Sequence, residues 1–353
     1  MRYIGIDLHK TNFVVCFLNE DDSYRVETFP LSKSGINRFL LEVEKTDQAA
    51  VEVTQNIYYF YDQIKENVSR VVLVDTYRFS VIAKSKQKTD KADALALARF
   101  LKLDYLPEVP VPSERIRQLR ELLRARETLV SVRTKLKNMA HAALTRNGIK
   151  VARSAFATEI ARERLLNRDD LARIDSIILH TAIRQINELD REINQLESEI
   201  IKRGKTLKGL KRLLQLHGMN LLSAISLLAE IGDIELFDSS KQLTSYAGLV
   251  TSTRQSNETT RYGKITKQGR KRLRTAAIRA VLSMVNRTST PLMDFYQRKK
   301  QEKGSGKAIC ATARKFLTIV FVMLKKDLDY WYLEDRLYNQ KLRQLNRALA
   351  AAA

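Results

Sequence analysis

Tyr3-Ile4-Gly5-Ile6-Asp7-Leu8 (YIGIDL) is a short apolar run of strand length with one acid inside it. A carboxylate flanked by Ile6 and Leu8 costs several kcal/mol in an apolar strand unless it is paired or metal-bound. Downstream, Phe13–Leu18 (FVVCFL) is a second run, closed by the turn residues Asn19 to Asp22, and Tyr24–Phe29 is a third. These three read as a meander. A helix is expected from about Ser34, as its N-cap, before Ile36, Phe39 and Leu40. A strand at Ala49–Val53, a helix near Tyr58–Glu66, a strand at Arg70–Val74 and a helix from Asp90 to Leu103 follow. The order βββαβαβα predicts a mixed sheet with helices on its faces, an α/β N-terminal domain over residues 1–108.

Pro107, Pro110 and Pro112 then mark a linker. From Ser113 to about Asn147 one helical pattern carries Leu122, Leu129, Leu136 and Ala143 every seven residues. A second pattern runs through Leu179, Ala182, Ile186, Leu189, Ile193, Leu196 and Ile200. That spacing predicts a coiled-coil middle over residues 113–205, either a helical hairpin or a helix that pairs between protomers. Residues 206–335 read as a mainly helical C-terminal domain with loop-rich interruptions at His217–Asn220 and Ala247–Gly269. Residues 336–353 read as a tail, ending in a low-complexity alanine tract.

With 12 Gly and 5 Pro in 353 residues, collagen-like and linker-like classes are excluded. The two cysteines, Cys16 and Cys310, form no C-x-x-C pair and there are four His, which argues against a zinc cage and for a reducing compartment. No apolar run approaches the roughly 18 residues of a bilayer span, and no secretory signal is read, so a cytoplasmic protein without a membrane partner is expected.

The net charge of +22 is unevenly spread. Residues 1–110 hold 15 basic and 16 acidic side chains, whereas residues 254–315 hold 17 basic and 3 acidic ones. A surplus confined to one stretch marks a polyanion-binding surface rather than mere solubility, and nucleic acid is the expected partner. A solvated helix face is the plainer alternative.

Asp7 has possible companions. Glu52 lies within the fourth strand pattern between Val51 and Val53, and Asp90 and Asp93 share one helix face at i, i+3. If the first and fourth strands are neighbours and the last helix packs across their ends, four carboxylates meet at one point. Like charges so placed require cations, and oxygen ligands suit Mg²⁺. Two ions about 3.5–4 Å apart stabilise the attacking and leaving oxygens of a phosphodiester. Each acid also has an ordinary reading, since Asp-x-x-Asp at a helix start is favourable dipole charge. Asp47, Asp62 and Asp75 fall at element edges and read as solvated. The segment Ser245–Gly269 interleaves hydroxyls with basic side chains, which suits phosphate contacts. Ser252 and Ser256, each two positions from Arg254, are candidate nucleophiles, although from composition alone an ordinary hydrogen-bonding role is the expectation for a loop hydroxyl.

The set YIGID (Tyr3–Asp7), VEVT (Val51–Thr54), KTDKADA (Lys88–Ala94), YAGLV (Tyr246–Val250) and GKITKQGRKRLR (Gly263–Arg274) resembles the DEDD transposases of insertion-sequence family one-ten, relatives of the Piv and MooV DNA invertases. The resemblance covers nearly the whole chain. It implies an RNase H-like (RuvC-like) N-terminal domain and a C-terminal transposase domain, with Asp7, Glu52, Asp90 and Asp93 as catalytic metal-binding acids holding two Mg²⁺ ions. It implies a serine nucleophile at Ser256, which forms a transient phosphoserine link to DNA. Departures at Gln55, Thr251 and Asn257 keep Ser252 as the alternative. It also implies guidance by a noncoding bridge RNA pairing with donor and target DNA, and a homo-oligomer, a dimer or a tetramer on DNA, in the nucleoid. Arg254, Arg261, Lys264, Lys267, Arg270, Lys271, Arg272 and Arg274 are the expected nucleic-acid contacts, and Tyr246 and Tyr262 are read as backbone or stacking contacts or, equally, as ordinary core residues. A site-specific invertase, a hydrolytic junction nuclease and a nonenzymatic nucleic-acid scaffold are the alternatives.

Overall fold

The computed structural model describes residues 1–82, 89–256, 259–285 and 289–350, without the side chains of residues 81, 82, 254, 256, 260 and 262. They divide into two compact units, Met1–Val111 and Pro112–Ala353.

The first unit is a five-stranded mixed sheet with helices on both faces. Its elements are β1 (Tyr3–Leu8), β2 (Asn12–Leu18), β3 (Tyr24–Pro30), α1 (Lys33–Leu40), β4 (Gln48–Glu52), α2 (Ile57–Ile64), β5 (Arg70–Val74), α3 (Thr76–Ile82) and α4 (Asp90–Lys102). The strand order is β3-β2-β1-β4-β5. β1 is antiparallel to β2 and parallel to β4, so the meander and the crossover strands meet at β1. The capping serine of α1 is Ser32, not Ser34, and its side chain accepts from the Gly35 N–H. The helix α3 was not expected. It begins where the Asp75 carboxylate accepts from the Arg78 N–H at 3.0 Å.

Alternation along the strands assigns the two faces. Ile4, Ile6, Phe13, Val15, Val51 and Leu73 pack with Ile36 and Phe39 of α1 and with Ile57, Phe60 and Ile64 of α2. Phe13 anchors this side, with ring centroids 5.4 Å from Phe29, 5.5 Å from Phe39 and 4.8 Å from Phe60. The opposite residues face α4: Ala50, Val72 and Val74 meet Leu97 and Leu101, while Val14, Cys16 and Leu18 meet Ala94 and Ala98. Gly5 belongs to this second face. A Cβ there would sit 1.9 Å from the Ala94 carbonyl oxygen and 2.5 Å from the Ala98 nitrogen, so the absent side chain is what lets α4 lie against β1.

The second unit is mostly helical. It comprises α5 (Glu114–Arg146), α6 (Glu159–Leu166), α7 (Arg173–Gly204), α8 (Leu210–Gln215), α9 (Leu221–Ile231), α10 (Ser240–Tyr246), β6 (Thr251–Ser256), β7 (Thr259–Ile265), α11 (Lys271–Met284), α12 (Pro291–Lys303), α13 (Ser305–Lys325) and α14 (Asp335–Ala350). α5 and α7 run side by side in opposite directions. Arg126 pairs with Glu197, Arg133 with Asp190 and Arg146 with Asp175, so partners move down one helix as they move up the other. Apolar contacts between Ala140, Leu144, Leu179, Ala182 and Ile183 close the far end of this hairpin. The main core gathers α9, α11 and α13 through Ile225, Leu228, Val281, Phe316 and Val320. Two expectations change here. The stretch within Ala247–Gly269 contains a two-stranded ribbon, β6–β7, where a loop was expected. Residues set apart as a tail form α14, whose Leu345 is buried in the main core. Among the described residues, no helix is long and apolar enough to cross a membrane.

Candidate functional site

The carboxylates of the first unit are placed by strand register. Gly5 pairs with Ala50 and Ile6 with Val51, which puts Asp7 and Glu52 one step further along neighbouring parallel strands, at their carboxyl ends. Two residues beyond Gly5 and Ala50, both acids point to the face that carries α4. On α4, Asp90 precedes Ala94 and Ala98 by one and two turns, on the side that meets Gly5. Asp93 likewise precedes Leu97 and Leu101, which pack on the sheet. The helix therefore runs opposite to β1 and brings its first turn to the strand end that carries Asp7. Thr89 caps that turn, its hydroxyl accepting from the Ala92 N–H at 3.2 Å, and its carbonyl accepts from the Asp93 N–H at 2.9 Å.

A residue not foreseen from the sequence completes the arrangement. His9 Nε2 lies 3.3 Å from Asp7 Oδ2 and 3.2 Å from Asp90 Oδ2. Ligand atoms of Asp7, His9 and Asp90 all lie within 4.8 Å of one another. The Nε2 atom is buried and has no hydrogen-bond partner, although the ring as a whole is 39% exposed. The only signal in the sequence was the i, i+2 spacing from Asp7, which returns a side chain to the same side of an extended chain. Glu52 and Asp93 are half-buried on the α4 side and do not join this three-residue cluster.

The donor set fits a divalent cation. Neighbouring ligands of an octahedral ion with bonds of about 2.1–2.2 Å are about 3 Å apart, close to the two His9 distances. An ion would also give the buried Nε2 a partner and offset the charge of Asp7 and Asp90.

The other acids of this unit differ. Asp47, expected to be solvated, is fully buried. Its Oδ1 accepts from the Arg2 backbone N–H at 3.0 Å and from Arg2 Nε at 3.2 Å. Its Oδ2 accepts from Arg2 Nη2 at 2.7 Å and from the Glu44 N–H at 2.8 Å. That hydrogen-bonded carboxylate raises the Arg2 pKa against the opposing effect of burial. Asp62 pairs with Lys65 at 3.3 Å and Asp75 caps α3, as surface groups do.

In the second unit, β6 and β7 pair from Thr251↔Ile265 to Ser256↔Thr259, with an irregularity at Ser252. Ser256 closes β6 beside the connection at 257–258. Its side chain lies outside the described residues, as do those of Arg254 and Tyr262, together with Asn257 and, in the first unit, Lys88. Ser252 is exposed and its Oγ lies over Gly263, where a Cβ would come within 2.4 Å of it. Arg261, Lys264, Lys267 and Lys271 are exposed.

Three of the expected nucleic-acid contacts also make contacts within the chain. Arg270 Nε donates to the buried Glu230 at 3.1 Å, Arg272 pairs with Glu127 at 3.0 Å, and Arg274 Nη1 donates to the carbonyls of Ala247 at 2.8 Å and Lys267 at 3.2 Å. Gly269, at φ 110°, has its Cα so close to the Tyr246 carbonyl that a Cβ would sit 2.3 Å from that oxygen. The AGL segment and the start of α11 are thereby locked at the base of the ribbon. Tyr246 packs against Phe237, with ring centroids 5.4 Å apart, an ordinary core contact.

Comparison with known proteins identifies relatives of this chain. A profile of DEDD transposases of the IS110 type matches residues 4–148, and a profile described as transposase IS116/IS110/IS902 family matches residues 210–297. The transposase for insertion sequence element IS1111A of Coxiella burnetii is 27% identical over 248 residues, 69% of this chain and 68% of that protein. The pilin gene-inverting protein of Moraxella bovis is 25% identical over 351 residues, 93% of this chain and 97% of its own length. The first profile begins at Ile4 in β1 and extends past α4, so it includes all four acids and His9, and the second includes the ribbon. The chain belongs to the IS110 family of transposases, enzymes that cleave and rejoin DNA.

Proposed function

We propose that this transposase cuts and rejoins DNA at a divalent-metal centre of RNase H-like type, built from Asp7, Glu52, Asp90 and Asp93, with Ser256 as nucleophile. The observation that carries the reading is the approach of Asp7 and Asp90, from a strand end and a helix start, around one shared point. Two Mg²⁺ ions held there would supply positive charge to the scissile phosphate. Asp7 and Glu52 hold their positions through strand register, and Asp90 and Asp93 through the capped first turn of α4. The serine oxygen forms a bond to phosphorus, the sugar oxygen departs with a proton, and reversal on a new strand end rejoins the DNA.

Exposed Arg261, Lys264, Lys267 and Lys271 contact phosphates, whereas sequence choice falls to a bridge RNA pairing with donor and target. Arg254, Arg270, Arg272 and Arg274 share the phosphate-contact role. The enzyme acts as an oligomer, with the α5–α7 hairpin as its pairing element, in which acids and serine act on one phosphodiester. It works on the nucleoid. Inversion, rather than insertion, is the second reading, favoured by the near full-length similarity to the Moraxella protein.

The test uses a supercoiled plasmid carrying the ends of its own element, with the full chain, Mg²⁺ and any copurifying RNA. A covalent protein–DNA adduct that disappears with Ser256→Ala supports the mechanism. Cleavage that survives both Ser256→Ala and Ser252→Ala but disappears with Asp7→Ala makes the enzyme a hydrolytic nuclease. No Mg²⁺-dependent cleavage by the wild-type chain leaves a scaffold.

A further inference from the structure

We infer that His9 is a nitrogen ligand of the metal centre, and that the centre therefore favours Mn²⁺ over Mg²⁺ more strongly than four carboxylates alone would. The inference rests on the reading of Asp7 and Asp90 as metal ligands and adds to it an imidazole that the four-acid pattern lacks.

Three observations carry it. His9 follows β1 directly and its backbone N–H donates to the Asn12 carbonyl at 2.9 Å, so the turn into β2 fixes where the ring starts. The ring nitrogen then stands almost equidistant from Asp7 Oδ2 and Asp90 Oδ2, at 3.3 and 3.2 Å. That nitrogen is shielded from solvent and makes no hydrogen bond, while the rest of the ring reaches the surface. An imidazole placed merely for packing would turn its polar edge outward, because leaving a buried acceptor or donor unsatisfied costs about 1–3 kcal/mol. Here the polar edge turns inward, toward one oxygen of each carboxylate.

The competing account is an imidazolium held electrostatically between the two acids. It predicts opposite metal behaviour, because a bound proton on Nε2 would compete with the ion, and removing the ring would help binding.

The ligand type sets the expected preference. Carboxylates serve Mg²⁺ and Mn²⁺ alike, whereas imidazole nitrogen favours transition metals, with affinity rising from Mn²⁺ toward Cu²⁺. One nitrogen among oxygens should therefore raise Mn²⁺ affinity relative to Mg²⁺ without abolishing Mg²⁺ binding.

The test measures metal binding to the full-length protein without DNA. Free Mn²⁺ is followed by electron paramagnetic resonance, Mg²⁺ by competition, and directly bound nitrogen by the ¹⁴N modulation of the Mn²⁺ spin echo. The expected result for wild type is a ¹⁴N coupling that is lost in His9→Ala and His9→Gln, with Mn²⁺ affinity falling about 10–100-fold and Mg²⁺ affinity falling several-fold less. Circular dichroism checks that both variants fold. Unchanged or tighter Mn²⁺ binding in both variants, or a wild-type echo without ¹⁴N modulation, overturns the assignment. Asp7→Asn separates the two levels. If it removes Mn²⁺ binding while His9 has no effect, the carboxylate centre stands and the imidazole ligand falls. If it leaves Mn²⁺ binding intact, the centre itself falls.

Discussion

The two ends of one sheet handle carboxylates in opposite ways. At the amino end of β1 and β4, Asp47 is fully enclosed and accepts four hydrogen bonds, three of them from Arg2. At the carboxyl end, Asp7 and Asp90 face each other across an imidazole whose buried nitrogen makes no hydrogen bond. The first arrangement is complete within the chain and stabilises it. The second gathers negative charge that an external cation would complete. An acid at a sheet end is thus read by its partners, and the burial of Asp47 alone assigns it no catalytic role.

Substitution at each end should separate the two. Asp7→Asn is expected to lower strand cleavage by roughly a thousandfold or more, since metal-centred charge stabilisation supplies several kcal/mol. In metal-free buffer its thermal midpoint should hold or rise, because like-charge repulsion is relieved. Asp47→Asn should do the reverse. Breaking a buried ion pair costs about 3–5 kcal/mol, so the midpoint falls steeply while Mn²⁺ affinity of the folded fraction is unchanged. A loss of metal binding with Asp47→Asn, measured well below the melting transition, would erase the distinction between the two ends.

Gly5 tests how the carboxyl end is assembled. Gly5→Ala drives a methyl into the Ala94 carbonyl, so α4 must shift. Overpacking of this kind costs about 1–3 kcal/mol, and here it should also weaken Mn²⁺ binding by moving Asp90. A variant that loses stability but keeps metal affinity would show that Asp90 is not held through this contact.

A smaller effect is expected in the second unit. Lys341 donates to the carbonyls of Leu214 and Leu216, both at 2.8 Å, and burial pushes its pKa down to about 8, with Glu334 opposing. The unfolded chain keeps this proton up to about pH 10.4, so between the two values it binds more protons than the folded chain. The contribution to stability therefore rises from pH 8 toward 10 and is absent below 8. Urea midpoints at pH 7.5 and 9.5 should show that slope in wild type and lose it in Lys341→Met. Cys16 gives the smallest signal. Its thiol is buried and pushed up to about 11 by burial, so it should resist thiol reagents in the folded protein that modify it after denaturation.

Much of the first unit was legible in the sequence because its strands are apolar runs bounded by turn residues. Asp7 stood out because it interrupts such a run. Its neighbours were less visible. That β1 lies beside β4 follows from long-range pairing, which no local pattern specifies. Asp47 looked like a turn residue because the bonds that enclose it come from Arg2, distant in sequence. His9 carried no local mark beyond its spacing, since its meaning depends on Asp90 arriving from α4. In the second unit, heptad spacing revealed α5 and α7, but the ribbon β6–β7 was hidden by its polar composition. Strands that are solvent-exposed on both faces lack the apolar alternation that identifies a half-buried strand. The acceptors of Arg270, Arg272 and Arg274 were not visible either, because Glu230, Glu127 and the Ala247 carbonyl lie elsewhere in the chain.

The central claim is that acids distant in sequence share a cation. It is tested most directly by anomalous diffraction from crystals of the full-length protein grown with Mn²⁺. The account predicts an anomalous peak about 2.2 Å from carboxylate oxygens of Asp7 and Asp90. Manganese located elsewhere, with Asp7 and Asp90 turned to separate protein partners, would contradict it.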